Sequence, residues 1–444
     1  MPTQAFTGPM LASGIVLAVT FIAIFTEQLH RVERAKVACA GAFGMILVGQ
    51  LLGFYGPAQA LEAIDWNVVL LLAAMMTIVI VMVPTGGFEW VAYKLAAFSR
   101  GNRFLTLVST GTAVTVLSLL LDNVTTVVIF GPLLILIAER QRVSPVPYLI
   151  AAAVLSNTGG VGTLVGDPPN IMIGSAAQID FNTFFLRMAP IALAAWLAIL
   201  MALKVVFRKE LAGGTTGAAY EPVVIRDRRT WTISLLVLLL LLVLFVLHRT
   251  LGWEAWFVAV FGMTVLLLAT PHAVLEAVLA RVEVPLLVFF IGLFMLVGGV
   301  EHSGLLSYIG QFITPFVQRD LLTATIVLMW VAAVLSAAID NIPFTAAMIP
   351  IISSLEARGV NVAPLWWGLS MGVGLGGNGT HIGASANVFV VTISERLARE
   401  RGEPTLAITP GTWFKKGTPA TVASLIVASI VLAVFFEYFS RPVH

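Results

Sequence analysis

Three aspartates lie in apolar stretches of the sequence, where a charged side chain is costly. They are Asp122, Asp167 and Asp340. At the centre of a membrane span, such a charge costs about 2.5–3.5 kcal/mol on insertion scales. No Lys or Arg lies within ten residues of Asp122 or Asp340, so the neighbouring sequence offers no salt-bridge partner. A bound cation or proton would stabilise the carboxylates instead, and helix capping is the structural alternative.

Short polar residues follow two of these aspartates. Asn123 and Thr125 come after Asp122, and Asn341 comes directly after Asp340. Each Asp-Asn pair interrupts a long apolar stretch, at about 104–138 and 321–355. Two full spans or one re-entrant hairpin would fit either stretch. We predict two re-entrant hairpins, whose freed backbone groups and polar side chains bind an ion or a substrate.

Two glycine-rich segments, 157–170 and 374–387, form the next element. Glycine at this density disfavours a continuous helix, and Pro168-Pro169 forbids one in the first segment. Irregular backbone at membrane depth is tolerated only where it is buried or lines a cavity. We therefore predict helices that are unwound at the midplane. Their candidate ion-binding or substrate-binding side chains are Asn157, Thr163, Asp167, Asn170, Asn378, Thr380 and Asn387.

His381 is the one histidine deep in an apolar segment. It is a candidate proton relay, and a histidine with satisfied hydrogen bonds in the core explains it equally well. Together with Asp122 and Asp340, it forms the predicted proton-coupling set.

The two halves of the chain resemble each other at a fixed spacing. Asp122-Asn123 recurs as Asp340-Asn341, 218 residues later. Gly162-Thr163-x2-Gly166-x3-Asn170 recurs as Gly379-Thr380-x2-Gly383-x3-Asn387, 217 residues later, and Gly87 recurs as Gly304 at that same spacing. With an odd number of crossings in each half, the second half is inverted relative to the first, as in many secondary transporters.

The composition is that of a membrane protein. Of the 444 residues, 59% are hydrophobic and 11% charged, against about 25% charged in soluble domains. These values exclude soluble enzymes and nucleic-acid binders. We predict an all-α polytopic protein with about ten transmembrane helices and the two hairpins. The predicted spans are 10–29, 35–55, 66–84, 147–177, 188–207, 231–248, 253–270, 285–300, 363–394 and 417–438.

The predicted organisation is a first inverted repeat at 1–207, a cytoplasmic linker at 208–230 and a second repeat at 231–444. This arrangement puts 20 of the 25 Lys and Arg residues on the inside, as the positive-inside rule expects. It places both termini outside the cytoplasmic (inner) membrane. The only cysteine, Cys39, excludes an intrachain disulfide and a thiolate metal cluster, and no metal site is predicted.

About 35–400 resembles the ion transporter superfamily, in the arm of ArsB-type arsenite permeases, NhaD-type sodium/proton antiporters and the P protein. The resemblance implies an inverted repeat whose two hairpin tips meet near the midplane. It also implies a homodimer and, for an ArsB-type protein, a soluble ATPase partner. The motifs that carry it are Ile64-Asp65-Trp66-Asn67, Leu121-Asp122-Asn123, Gly166-Asp167-Pro168-Pro169-Asn170 and Gly298-Gly299-Val300-Glu301-His302-Ser303-Gly304.

The predicted site holds two or three carboxylates and no cation, which disfavours a citrate-like anion. Arsenite is uncharged As(OH)₃ at neutral pH, and hydroxyl groups would bind to Asn, Thr and Asp. We expect secondary transport of a small inorganic solute, with proton-driven arsenite or antimonite efflux ahead of sodium/proton exchange and of carboxylate transport. A proton or Na⁺ is the coupling ion, and no other cofactor is expected.

Two other classes of membrane protein also use buried polar groups. An intramembrane aspartyl protease needs a Gly-x-Gly-Asp pattern, which none of the three aspartates has. A channel would share the pore chemistry but would not need two inverted gates. Saturable flux coupled to a gradient separates a carrier from a channel.

Overall fold

The computed structural model describes residues 5–213, 223–270, 275–339 and 341–442. Within these ranges every regular element is a helix and none is a strand. Asp340 and residues 214–222 of the predicted linker lie outside the described residues. The all-α fold and the polytopic character of the chain are confirmed.

The first half contains the helices that form the first repeat. Short helices follow two of the long ones at Glu27–His30 and Pro57–Glu62. The main helices are Gly8–Phe25, Arg34–Leu52, Trp66–Met82, Gly87–Phe98, Arg103–Ser118, Asn123–Arg140, Val146–Val161, Pro168–Ala176 and Phe181–Val206.

The second half repeats this order after the linker. Short helices lie at Leu275–Leu279 and Phe436–Phe439. The main helices are Arg228–Leu251, Ala255–Ala269, Val284–His302, Leu305–Arg319, Leu321–Ile339, Asn341–Glu356, Ala363–Gly376, Ser385–Arg401, Pro410–Lys416 and Thr418–Val434.

Each interrupted apolar stretch contains two helices, separated by four residues in the first stretch and by one residue in the second. We call Arg103–Ser118 with Asn123–Arg140 hairpin 1, and Leu321–Ile339 with Asn341–Glu356 hairpin 2. The 16 and 18 residues of the arms of hairpin 1 span about 24 and 27 Å, slightly less than the roughly 30 Å hydrocarbon core. Re-entry of both hairpins stays a prediction.

The two glycine-rich segments interrupt helices, as predicted. In the first half, Val146–Val161 ends before the unwound residues 162–167, and Pro168–Ala176 follows. In the second half, Ala363–Gly376 passes through a 3₁₀ turn at Gly377–Gly379 and an unwound stretch before Ser385–Arg401.

Every residue of Val146–Val161 and Ala363–Gly376 is buried, so these half-helices form the centre of the molecule. Their glycines allow close approach to the hairpins. A Cβ on Gly159 would lie 2.3 Å from the carbonyl oxygen of Thr115, and one on Gly376 would lie 2.3 Å from the Cα of Ala333. Small residues at such contacts let helices pack tightly in a membrane.

Nine helices among the described residues are long and apolar enough to cross a membrane. Two of the nine, Asn123–Arg140 and Leu321–Ala338, are hairpin arms. Three of the ten predicted crossings are not among these nine helices. The crossings at 147–177 and 363–394 are unwound in the middle, and Ala255–Ala269, in the crossing at 253–270, is short. Counting continuous apolar helices therefore gives a different set from the ten predicted spans.

Two helices were not predicted as separate elements. Gly87–Phe98 and Leu305–Arg319 each follow a glycine with positive φ, Gly86 at 78° and Gly304 at 81°. Glycine adopts this left-handed conformation without steric cost. Gly86 is thus the structural counterpart of Gly304, and the pairing of Gly87 with Gly304 was wrong by one residue.

Candidate functional site

Asp167 lies between the tips of the two hairpins, which line the same cavity. Only 2% of its surface is exposed. The side-chain amide of Asn123, at the tip of hairpin 1, donates to Asp167 Oδ1 at 3.5 Å. The amide of Asn341, at the tip of hairpin 2, donates to Oδ2 at 3.3 Å and to Oδ1 at 3.5 Å. One carboxylate of the first unwound segment therefore contacts both tips.

Asn157 joins the two halves next to this carboxylate. Its Oδ1 accepts a hydrogen bond of 2.9 Å from Asn123. Its Nδ2 donates to Asn378 Oδ1 at 2.8 Å and to Asn387 Oδ1 at 3.1 Å. Four of the predicted site residues thus form one buried amide network that crosses from one repeat to the other.

Two threonines attach the unwound segments to the hairpins. Thr163 Oγ1 donates to the carbonyl oxygen of Leu119, just before the tip of hairpin 1. Thr380 Oγ1 donates to the carbonyl oxygen of Ala337, at the matching place in hairpin 2. Both hydroxyl groups bind backbone, so these residues position the tips, and direct contact with a ligand stays a prediction.

Two asparagines hold the unwound backbone in the same way in each half. Asn170 Nδ2 donates to the carbonyl of Gly160 at 2.9 Å, and Asn387 Nδ2 donates to that of Gly377 at 2.8 Å. Each also donates to the carbonyl of the threonine in its own segment, at 3.0 and 2.8 Å. These amides satisfy carbonyl groups that a continuous helix would satisfy itself.

Asp122 caps the second arm of hairpin 1. One carboxylate oxygen accepts from the backbone N–H of Thr125 at 2.8 Å, and the other accepts from the Thr125 hydroxyl group. This is the capping alternative raised from the sequence, and the carboxylate still lines the central cavity. Its repeat partner Asp340 lies outside the described residues. His381 is half-buried and does not line that cavity.

The central cavity has a volume of about 70 Å³. Its described charged residues are three acids and one base. The base, Arg34, comes from the start of helix Arg34–Leu52, and its guanidinium lies 5.3 Å from the centre of the Phe289 ring. The sequence-based expectation of a site without a cation was therefore wrong. The lining includes Arg34, Asp122, Asn123, Asp167, Glu283 and Asn341.

Arg34 and Glu283 also line a wider cavity of about 280 Å³ that opens beside the central one. At this mouth, the surrounding protein desolvates the carboxyl group of Glu283 and raises its pKa. The negative charge of Asp122 raises that pKa further, and the positive charge of Arg34 opposes both effects. Sequence reasoning missed both residues because neither is near a site motif.

A separate cavity of about 360 Å³ lies at the other end of helix Val284–His302. Its acidic lining residues are Glu62, Asp65 and Glu301. Among the described residues, none lines both this cavity and the central one. Helices Pro168–Ala176 and Asn341–Glu356 pack together between the two cavities. The central cavity shares Arg34 and Glu283 with the cavity of about 280 Å³, and it shares Ile171 with a further cavity of about 620 Å³.

Comparison with known proteins places the chain among membrane transporters. A family model described as "CitMHS: Citrate transporter" matches residues 19–372. A 46 kDa membrane protein of Mycobacterium leprae is 33% identical, with 94% of this chain and 96% of that protein covered. An uncharacterized transporter of Mycobacterium tuberculosis is 33% identical, over 96% of this chain and 99% of that protein.

Two further matches bear on the fold and on the superfamily. The P protein of Sus scrofa is 29% identical over 95% of this chain, which spans 59% of that protein. The crystal structure of the Alcanivorax borkumensis YdaH transporter matches with a TM-score of 0.58 at 15% identity, covering 98% of this chain and 100% of that one. The match to the P protein confirms the superfamily resemblance. The chain belongs to the CitMHS citrate transporter family, and it is a membrane transporter rather than an enzyme.

Proposed function

We propose that this protein is a secondary active transporter in which Asp167 binds the coupling ion, a proton or Na⁺. The observation that carries this proposal is the contact of one buried carboxylate with the tips of both hairpins. A buried carboxylate is stable only when it is hydrogen-bonded, paired or neutralised. Binding of a cation or proton would therefore change how strongly the carboxylate holds the two tips.

That dependence is the physical requirement for coupling. The Asn123 and Asn341 amides donate to a carboxylate, and hydrogen bonds to a charged acceptor are stronger than those to a neutral one. Loading of Asp167 weakens these contacts and frees the tips to move. Helix Pro168–Ala176 directly follows Asp167, and helix Asn341–Glu356 begins at Asn341. The two helices pack together between the central cavity and the cavity of about 360 Å³.

The size and charge of the cavity favour a small cargo. At about 70 Å³ it is well below the roughly 300–1,000 Å³ of typical organic ligand sites. Three carboxylates against one guanidinium disfavour a trivalent anion. Proton-driven efflux of arsenite, uncharged and with three hydroxyl groups, is the first candidate activity. The predicted location is the cytoplasmic membrane with both termini outside.

Two other cargoes have an observation in their favour. Na⁺ exchanged for protons fits the carboxylates of Asp122 and Asp167. Citrate or a related carboxylate is favoured by the family description and by Arg34 in the cavity wall. A homodimer and a soluble ATPase partner stay predictions from the superfamily.

Flux in everted vesicles tests the proposal. Respiration acidifies the lumen, and lumenal pH is followed while arsenite, Na⁺ and citrate are added in turn. Proton release with accumulation of arsenic supports arsenite efflux, whereas release on Na⁺ alone identifies a sodium/proton exchanger. No response to any of the three contradicts a proton-coupled carrier of these cargoes.

The Asp167→Asn variant locates the coupling site. It keeps the size of the side chain and removes the charge, so we expect no coupled flux at normal yield. Asp320→Asn is the matched control, because Asp320 is an exposed helix cap that accepts from Thr323 at 3.0 Å. Coupled flux in Asp167→Asn equal to that of the control would show that Asp167 is not the coupling group.

A further inference from the structure

Asp167 and Ala384 occupy equivalent backbone positions in the two repeats. Each precedes the helix that follows its unwound segment, Pro168–Ala176 or Ser385–Arg401. The backbone angles are φ −149° and ψ 135° at Asp167, and φ −149° and ψ 149° at Ala384. The two residues also line the same central cavity.

The surroundings of the two positions match as well. The carbonyl of Gly166 lies 2.8 Å from where a Cβ on Gly160 would stand, and that of Gly383 lies 3.1 Å from a Cβ on Gly377. The paired threonine and asparagine hydrogen bonds described above hold each segment. The repeats therefore place the same backbone arrangement on two sides of one cavity, and one side has a methyl group where the other has a carboxylate.

This difference decides the charge that each side of the cavity can compensate. A cation in a buried site needs a compensating negative group, because an unpaired buried charge is very costly. Asp167 is 2% exposed and supplies that group, whereas Ala384 is 3% exposed and does not.

The other two described acids of the cavity have different roles. The carboxylate of Asp122 is engaged by Thr125 as a helix cap. Glu283 lies with Arg34 at the mouth shared with the wider cavity.

We propose that one coupling ion moves in each transport cycle, bound at Asp167, and that the equivalent position at Ala384 is its uncharged counterpart. This inference rests on the proposed function of Asp167. It adds the number of coupling ions per cycle. That number follows because, of the two equivalent positions, Asp167 has a carboxylate and Ala384 does not.

The number of ions per cycle is measured from the null gradient, which is the cargo gradient at which net flux stops. Purified protein is reconstituted in liposomes with the membrane potential clamped at zero, and a fixed tenfold proton gradient is imposed. The opposing gradient of the transported cargo, whether arsenite, Na⁺ or citrate, is varied until net flux stops. One ion per cycle gives balance at a tenfold cargo gradient, and two ions give balance at a hundredfold gradient.

We expect a tenfold null for the wild type. Ala384→Asp supplies the missing carboxylate in a backbone that already holds aspartate in the other repeat, so its null should move towards a hundredfold gradient. Ala384→Asn, of the same size without the charge, should stay at tenfold. Asp167→Asn should show no null that depends on the proton gradient.

The outcomes separate this inference from the proposed function. A hundredfold null in the wild type overturns the single-ion stoichiometry while leaving a coupled carrier in place. Absence of flux for all three cargoes means that the proposed function fails and the stoichiometry fails with it. The wild-type measurement stands by itself if Ala384→Asp does not fold.

Discussion

Replacing Asn157 with alanine should weaken the connection between the two repeats. Asn157 is 1% exposed and takes part in three hydrogen bonds, one with Asn123 and two that cross to Asn378 and Asn387. The alanine variant removes all three. It also leaves the side-chain oxygens of Asn378 and Asn387 without this donor at the centre of the molecule.

The expected loss of stability follows from that geometry. Side-chain hydrogen bonds between membrane helices average about 0.6 kcal/mol, so three of them set a lower value of about 2 kcal/mol. Each buried oxygen left without a donor costs about 1–3 kcal/mol, so the two oxygens of Asn378 and Asn387 set an upper value of about 6 kcal/mol. Asn157→Ala should therefore lose about 2–6 kcal/mol of unfolding free energy.

Denaturant unfolding of the detergent-purified protein, followed by the fluorescence of its ten tryptophans, measures the loss. The matched control is Asn182→Ala, because Asn182 is only half-buried and its amide donates one solvent-exposed bond of 2.7 Å to the carbonyl of Val246. Flux per folded molecule is measured on both variants. A loss in Asn157→Ala no larger than in Asn182→Ala would refute the conclusion that the amide network holds the repeats together.

Three further changes test other parts of the site. Thr163→Val removes the hydroxyl bond to hairpin 1. We expect a several-fold rise in the cargo concentration for half-maximal flux, with little change in protein yield. Equal losses of transport activity and of yield would indicate a packing role instead. Gly376→Ala places a Cβ 2.3 Å from the backbone of hairpin 2 and should cost about 1–3 kcal/mol or more of stability, whereas Gly8→Ala, with nothing within 4 Å, should unfold like the wild type. Arg34→Gln removes a positive charge from the cavity, so Na⁺ should bind more tightly. We expect a several-fold lower Na⁺ concentration for half-inhibition of proton-coupled flux. The control Lys36→Gln, on the exposed surface, should leave that concentration unchanged.

The chemistry of the tips could be predicted from the sequence because it is local. An Asp-Asn pair in an apolar stretch must end one helix and begin another, and the structure has helix starts at Asn123 and Asn341. The glycine-rich segments behave in the same way, since neither Pro168 nor a run of glycines can continue a helix. The repeated spacing also pairs most of these elements correctly, because equivalent residues begin equivalent helices in the two halves.

Other features depend on residues far apart in the chain. Arg34 joins the cavity because helix Arg34–Leu52 begins beside the start of Val284–His302, a contact that no local pattern encodes. This contact changed the predicted charge of the site from purely acidic to mixed.

The sequence alone determined the apolar helices, the places where they break and the repeat that relates the halves. Each of these follows from residue type and spacing, through hydropathy and backbone preference. Only the tertiary structure decided that Asp167 contacts both hairpin tips and that Ala384 lines the same cavity. The physical reason is that a contact across the repeat interface depends on how the two halves pack together, and neither half specifies that packing by itself.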